Sequence, residues 1–552
     1  MKKRHVSTAL MGMGMTVLLA GCGSGSGSTS PQNLVDYSEV SAADREFDLE
    51  IPGFPLSEPI SVSVMGPNVG IMEWEDIPFW KAITEATNIH FTFTTPPQLD
   101  FTTNLNLAFA SQNVSDVIYG ASLTPEVQIE QGAAGLLIPL QDLIAEHAPN
   151  ITKILDEHPD IRNSITAPDG NIYSLPTINL GVKSLWPHGP LYYNGQWLEA
   201  LNADVPTTLD DFTALMERFR DEMPGILGVD RVYPISATDK MEYLRNWIIS
   251  FWGMTAREIE VVDGVVRYNP TTDNYRAYIE WMNMAFNNGL LHPEIFTLAN
   301  DQQDALGKQN MIGVFQTWHS HWFLDTPEEQ GMHNPMLRAI SSAYSPNGVL
   351  PRSPGFQVGG LSITRDAQNP EAIMQLVDWF YTEEGAVFTD LGPEGHLWVW
   401  EEHISGEPIR VFEPSVDPDD GYSRGRVTPA YGFPAPGILP EDAPVVYRYT
   451  DEPLISDFEY FLRQETEETM GQYGKVAMPP LMLTAEEANS VSLIMADLII
   501  ELNMQEASFV TGIKEINDDT WAELQNTLKN IGVEKLVDVY QTAYDRWASA
   551  SK

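Results

Sequence analysis

Aromatic rings beside carboxylates, amides and histidines recur in the loops of this chain. "NVGIMEWEDIPFW" offers Glu73, Trp74 and Asp76, and Tyr119 ends "SDVIYG". "SLWPHGP" gives Trp186 and His188, "SFWGM" gives Trp252, and "QTWHSHWF" gives Trp318, His319, His321 and Trp322. "PRSPGFQVGG" adds Arg352 and Phe356, "HLWVWEEH" adds Trp398 and Trp400, and "PAYGFPAPG" adds Tyr431. Such groups supply recognition: ring faces stack on apolar carbon while carboxylates and amides bond hydroxyls, the combination that saccharides require. Aromatics fill cores as readily as sites. Trp80, Trp281, Trp379 and Trp547 fall on apolar helix faces and are assigned to core.

Bond-making chemistry has weaker support. With 77 acidic residues, some carboxylate pair will stand at a catalytic separation by chance. No G-x-S-x-G, H-E-x-x-H or P-loop pattern occurs. His319 and His321 would share one side of a strand, but two histidines make an incomplete metal site. "DPDDG" at 417–421 is similar to a calcium loop, yet its glycine falls at the fifth-ligand position and no glutamate stands at the twelfth. The reading therefore assigns no catalytic residue, metal or cofactor. A secreted glycoside hydrolase or polysaccharide lyase is the rival from another class.

The single cysteine, Cys22, forms no intramolecular disulfide. Lys2, Lys3 and Arg4 precede a short apolar run, and Leu19-Ala20-Gly21 supplies small residues before the thiol. This is a secretory signal layout that resembles the bacterial lipobox, so Cys22 is expected to carry lipid. "GSGSGSTS" then reads as a flexible tether. No later run of about 18 apolar residues spans a bilayer. The expected place is extracytoplasmic, anchored to the cell membrane.

The net charge is −46. It disfavours nucleic acid and other partners held through phosphate. The acids are spread along the chain, which fits a surface adapted to high salt or alkaline surroundings.

The elements that must position these loops alternate. "ISVSVMG" has a period of two, "EDIPFWKAITEATN" has helical spacing, "IHFTFTT" is a strand, "DFTTNLNLAFAS" a helix and "SDVIYG" a strand. That order predicts a mainly parallel α/β sheet. A second α/β region begins at "PLYYNGQWLEAL", with Thr208 and Asp211 capping a helix and later strands at "MIGVF" and "GLSIT". Asn369 caps and Gly385 ends a further helix. Thr484 with Glu487, and Thr520 with Glu523, read as capping boxes of a helical C-terminus.

"APDGNIYSLP", "PLYYNGQWLEAL", "VPTTLDDFTALMERFRDEMPG", "KQNMIGVFQTW" and "YTEEGAVFTDLGPEG" follow one another in this order. The chain thereby resembles the family 1 extracellular solute-binding proteins, the maltose-binding-like receptors of ABC importers, and their large lipoprotein branch. The resemblance implies a two-lobed α/β fold: signal 1–21, tether 22–55, an N-lobe of 56–185 plus 315–395, and a C-lobe of 186–314 plus 396–552. It implies crossings near Trp186, near residues 312–316 and near Trp398. Ligand would sit between the lobes, on Glu73, Trp74, Asp76, Tyr119, Trp186, Trp252, Trp318, His319, Trp322, Arg352, Phe356, Trp398 and Tyr431. It implies a monomeric receptor, not an enzyme, that delivers an oligosaccharide to an importer permease; an oligopeptide or other polar solute is the alternative cargo. Arg338, Arg352 and Arg365 are the candidates for meeting an anionic one.

Salt adaptation makes a direct prediction. Lowering sodium chloride from about 1 M to about 10 mM unscreens self-repulsion and should lower the thermal midpoint. A midpoint that holds or rises would remove salt as the reason for the charge.

Overall fold

The computed structural model describes residues 34–550, except 42–43, 182–184, 188, 239–240, 403–407, 414, 417–421, 432–434, 439–444 and 447–456. Cys22, its signal, the tether up to residue 33, His188 and the 417–421 loop therefore lie outside the described residues, whereas residues 36–55, expected as flexible tether, are held on the first lobe by buried Phe47 and Ile51 and by the bond from Tyr37 N to Asn88 Oδ1. In chain order the strands are β1 (Ile60–Met65), β2 (Ile89–Thr94), β3 (Val117–Tyr119), β4 (Leu175–Ile178), β5 (Leu191–Tyr193), β6 (Tyr233–Ile235), β7 (Ile259–Val262) and β8 (Val265–Tyr268). They continue with β9 (Ile312–Gln316), β10 (Leu350–Arg352), β11 (Phe356–Ile363), β12 (Trp398–Glu402), β13 (Pro408–Phe412), β14 (Gly437–Ile438), β15 (Val445–Val446) and β16 (Gly474–Val476).

The first sheet has the order β14-β4-β11-β3-β1-β2. Alternation in β1 puts Val62 and Val64 into the core under the helix Pro78–Thr87. That helix starts on Pro78, where no backbone donor is needed, and stops at Asn88, whose φ of 65° is left-handed. Its Phe79, Trp80, Ile83 and Ala86 are buried, as the spacing predicts. On the other face Phe101, Leu105 and Phe109 pack from the helix Gln98–Ser111. Asp116 pins β1 to β3: its carboxylate accepts from the Ser63 amide at 2.7 Å and the Ser63 hydroxyl at 2.8 Å.

The second sheet has the order β5-β9-β6. Residues 335–337 run beside β5, through Tyr193 N to Pro335 O and Leu337 N to Leu191 O. Phe315, Phe323, Leu324, Met336, Leu337, Ile340 and Leu350 consequently lie in the core that also holds Trp186 to Val314, whereas the sequence placed 315–350 with the other lobe. β9 is bonded on both sides within this sheet, so residues 312–316 do not cross between lobes. Nor does Trp398, which starts a hairpin and packs with Val387, Leu391, Leu397 and Val427. β14, expected with the second lobe, is the edge strand of the first sheet.

The caps follow the sequence with three exceptions. Thr208 accepts from the Asp211 amide, and Thr484 with Glu487 forms a capping box. Asn369 holds the cap position without a side-chain bond, and Gly385 lies inside the next helix, Glu383–Leu391, rather than at an end. The helix Asp518–Ile531 is capped by Asn517, whose side chain takes the Thr520 amide, so Thr520 is the third residue of the helix and the expected Thr520–Glu523 box does not form. Among the described residues no helix is long and apolar enough to cross a membrane.

The C-terminal helices are tied to the second sheet's core by a buried ion cluster. Glu506, on the helix Ala485–Val510, is 1% exposed. One oxygen accepts from Arg245 Nε and from the Tyr278 hydroxyl, each at 2.9 Å; the other accepts from Arg257 at 3.1 Å. Burial alone would raise the Glu506 pKa, but the two guanidiniums and the bonds from Arg245 and Tyr278 hold it below the ordinary value.

A carboxylate so depressed adds stability that is full above about pH 4.5 and is lost as pH falls through its lower folded value. Glu506→Gln leaves buried Arg245 without its counter-charge and Arg257 with Glu258 alone, at a cost of about 3–5 kcal/mol. Thermal and urea unfolding from about pH 3 to 7 should show a lower midpoint and a flatter acid limb than wild type. Equal midpoints would show that the cluster holds nothing together.

Candidate functional site

Strand polarity locates the site. β1, β2 and β3 are parallel and end at one edge of the first sheet, with Met65, Thr94 and Tyr119. β4 ends and β11 begins at that same edge, Ile178 opposite Phe356. The chain leaves the sheet after Ile178 and returns before Phe356, and these passages run side by side. Asn179 N donates to Gly355 O at 2.7 Å, and Ser353 N donates to Leu185 O at 2.9 Å. β5 starts directly beyond, with Leu191 opposite Gln316 at the end of β9, to which β6 is parallel. The carboxyl ends of both sheets are thus turned to the crossings, the place where open α/β sheets bind ligands. Gly355 (φ 82°) and Gly189 (φ 91°) are left-handed, and a Cβ on either would stand 3.0 Å from a carbonyl of the neighbouring strand. Only glycine fits there without strain.

The first wall is built on Asn68. Its side chain accepts from Gly70 N at 2.7 Å and approaches Met72 O and Glu73 Oε2 at 3.4 and 3.5 Å. Its backbone bonds Pro96 O and Gln98 N, locking the loop after β1 to the loop after β2. Glu73 and Asp76 stand exposed on this loop. Trp74 does not: it is 2% exposed, with Trp80, Phe93 and Tyr119 each within 6 Å of its ring centroid, and it serves as the floor. Tyr119 is buried beside it, and burial pushes its hydroxyl pKa far up. Tyr431 is brought to the same place, since a Cβ on Gly425 would touch both Ile71 and Tyr431. Tyr422, 58% exposed, lies 6.4 Å from Tyr431.

The second wall follows β9. Trp318 and Trp322 are 50% and 58% exposed, and His319 stacks on Trp322 at 4.0 Å. The Tyr192 hydroxyl donates to Trp318 O at 3.2 Å, and Gln316 donates to the carbonyls of Pro187 and Gly189. Trp186 is buried beneath. His319 and His321 flank the first residue of the helix Ser320–Leu324, so they do not share a strand face. No group of three metal-ligating side chains occurs among the described residues.

Four of the expected contacts belong elsewhere. Trp252 is 1% exposed among Phe251, Tyr278 and Trp281, because it closes the second core above the helix Asp273–Asn287. Phe356 is buried at the start of β11. Trp398 is buried and donates its indole N–H to Gly392 O. Arg352 is exposed beside Gly474 in the β10–β16 pair. Sequence reasoning missed Asn68 and Tyr422. The Asn-x-Gly spacing of Asn68 and Gly70 was the available signal for the first. A cavity of about 890 Å³ bordered by Thr207, Arg338, Glu468 and Tyr473 shares no residue with either wall. Its arginine is already paired with Glu465 and Glu468.

Exposed rings with carboxylates and histidine, on walls beside the crossings, can hold a polar ligand by stacking and hydrogen bonds. Comparison with known proteins agrees. The chain is 26% identical over 373 residues to the fructooligosaccharide ABC transporter substrate-binding protein FusA of Streptococcus pneumoniae, covering 65% of this chain and 68% of that one. It is 22% identical over 241 residues to the polygalacturonan/rhamnogalacturonan-binding protein YtcQ of Bacillus subtilis, 43% and 45% of the two chains. An HMO-binding, ABC-transporter-associated solute-binding protein from Bifidobacterium longum infantis shares the fold, with a TM-score of 0.74 at 20% identity over 89% of this chain and 99% of that one. The model of the bacterial extracellular solute-binding protein family matches residues 73–387. The chain belongs to that family of two-lobed solute-binding proteins.

Proposed function

We propose that this protein is a lipid-anchored receptor that captures an oligosaccharide between its lobes and delivers it to an ABC importer. The observation that carries the reading is the pair of exposed tryptophans, Trp318 and Trp322, on the carboxyl side of β9 beside the crossings. Relatives named for fructooligosaccharide, polygalacturonan and HMO binding support a saccharide over a peptide. The core clusters support lobes of about 47–178 plus 356–438 and about 186–350 plus 457–550. Closure would turn on the crossings at 179–190 and 351–355 and would present one closed surface to the permease. Cys22 would carry the lipid, and the receptor would act as a monomer that leaves its cargo chemically unchanged.

Thermal-shift screening of the chain against oligosaccharides and peptides, with analysis of recovered ligand, tests this. An oligosaccharide should raise the midpoint and come back intact. Cleavage of that ligand, or stabilisation by peptides alone, would overturn the reading. Trp318→Ala should weaken binding about tenfold or more with little change in the ligand-free midpoint, whereas Trp252→Ala should cost about 3–5 kcal/mol of stability. Cys22→Ala should move the protein from the membrane fraction to the soluble one; retention in the membrane would refute the anchor.

A further inference from the structure

The small sheet β12-β13-β15 carries an arginine that neither wall uses. Arg410 stands opposite Trp400 in the β12–β13 ladder. Its guanidinium carbon lies 4.4 Å from the Trp400 ring centroid and 5.3 Å from that of Trp398. Its Nε is buried with no hydrogen-bond partner, and no ion pair joins it to a described carboxylate. The guanidiniums buried in the second core are paired by contrast. Arg245, Arg257, Arg267 and Arg338 each take a glutamate. The anionic-cargo candidates fare no better: Arg338 is committed, and Arg365 reaches Gln112 and Asp366.

The site is built rather than incidental. Trp398 is fixed by its bond to Gly392 O and by Val427, while Trp400 remains 43% exposed. Burial lowers the Arg410 pKa, with Glu383 and Glu384 acting against it only through space. The group stays charged all the same. A guanidinium held in the corner between two perpendicular indoles, partly desolvated and with no described carboxylate bonded to it, gains from a carboxylate that can accept from its fork. The location suits a ligand that extends along the first wall. Val427, which packs on Trp398, accepts from Phe79 N, and Gly425 meets Ile71 and Tyr431.

We propose that Trp400 and Arg410 form a platform for one carboxylate-bearing sugar unit of the ligand, the ring stacking on the indole and the carboxylate accepting from Arg410. The proposal rests on the carbohydrate reading above and makes Arg410 its charge-selecting residue. Isothermal titration of the full-length chain at fixed ionic strength, with oligogalacturonate and its fully methyl-esterified form as probes, tests it. Wild type should bind the acid at least tenfold more tightly than the ester. Arg410→Gln should erase that preference through loss on the acid, leaving the ester within about twofold, and Arg410→Lys should keep part of it. Each variant's thermal midpoint reports folding; if the glutamine variant unfolds, the lysine variant and the wild-type acid-to-ester ratio still decide. Equal affinity for acid and ester in wild type, or a preference that survives Arg410→Gln, would overturn the platform and leave a structural cation–π contact. Neutral oligosaccharides binding while both probes fail would also overturn it without touching the receptor reading. No binding by any oligosaccharide would overturn both.

Discussion

The two backbone hydrogen bonds between the crossing strands, Asn179 to Gly355 and Ser353 to Leu185, constrain everything else about this site. They lie where the carboxyl ends of two separate sheets meet the chain passing between them. Helix and loop placement then follows from right-handed α/β connection: every loop after a parallel strand emerges at that edge. Asn68, Glu73 and Tyr119 arrive on one side and Trp318, His319 and Trp322 on the other because their strands point there. The glycines at 189 and 355 let the backbones approach closely, which keeps the connection thin.

The rigidity of the second body depends on polar as well as apolar burial. Glu506 gathers Arg245, Arg257 and Tyr278 from three separate segments and so fastens the helix Ala485–Val510 to the core. The last helix, Val533–Ala550, belongs to that core through Leu536 and Ala543. Its Trp547 nevertheless donates to Ser164 Oγ at 2.9 Å and accepts from Asn163 at 3.1 Å, both on the first lobe. The C-terminal helices therefore form a contact between lobes in addition to the crossings.

Much of the fold could be read from local pattern. The strand–helix alternation from Ile60 to Tyr119, the Thr208 cap and the Thr484–Glu487 box all depend on residues within a few positions of one another. What escaped reading depends on distant partners. Trp252 and Trp318 both read as loop aromatics, yet one is 1% and the other 50% exposed, because only the first is met by Tyr278 and Trp281 from another helix. The stretch around His319 lacks strand alternation once Ser320 turns inward and starts a helix. Arg410 reaches Trp400 only through a hairpin register, and Glu506 meets Arg245 across 261 residues. The lobe boundaries slipped for the same reason: β9 looks like a bridge until its two pairing partners are known.

The central claim is that an oligosaccharide is held between the carboxyl edges of the two sheets. Apart from Cys22 the chain has no thiol. In a Cys22→Ala background, spin labels at Leu99→Cys and Asp325→Cys, both exposed, would report the separation of the two walls. The account predicts that this distance shortens by several ångström, on the order of a hinge closure, when a bound oligosaccharide is added. A distance that stays fixed while the sugar binds would place the ligand elsewhere and contradict the account.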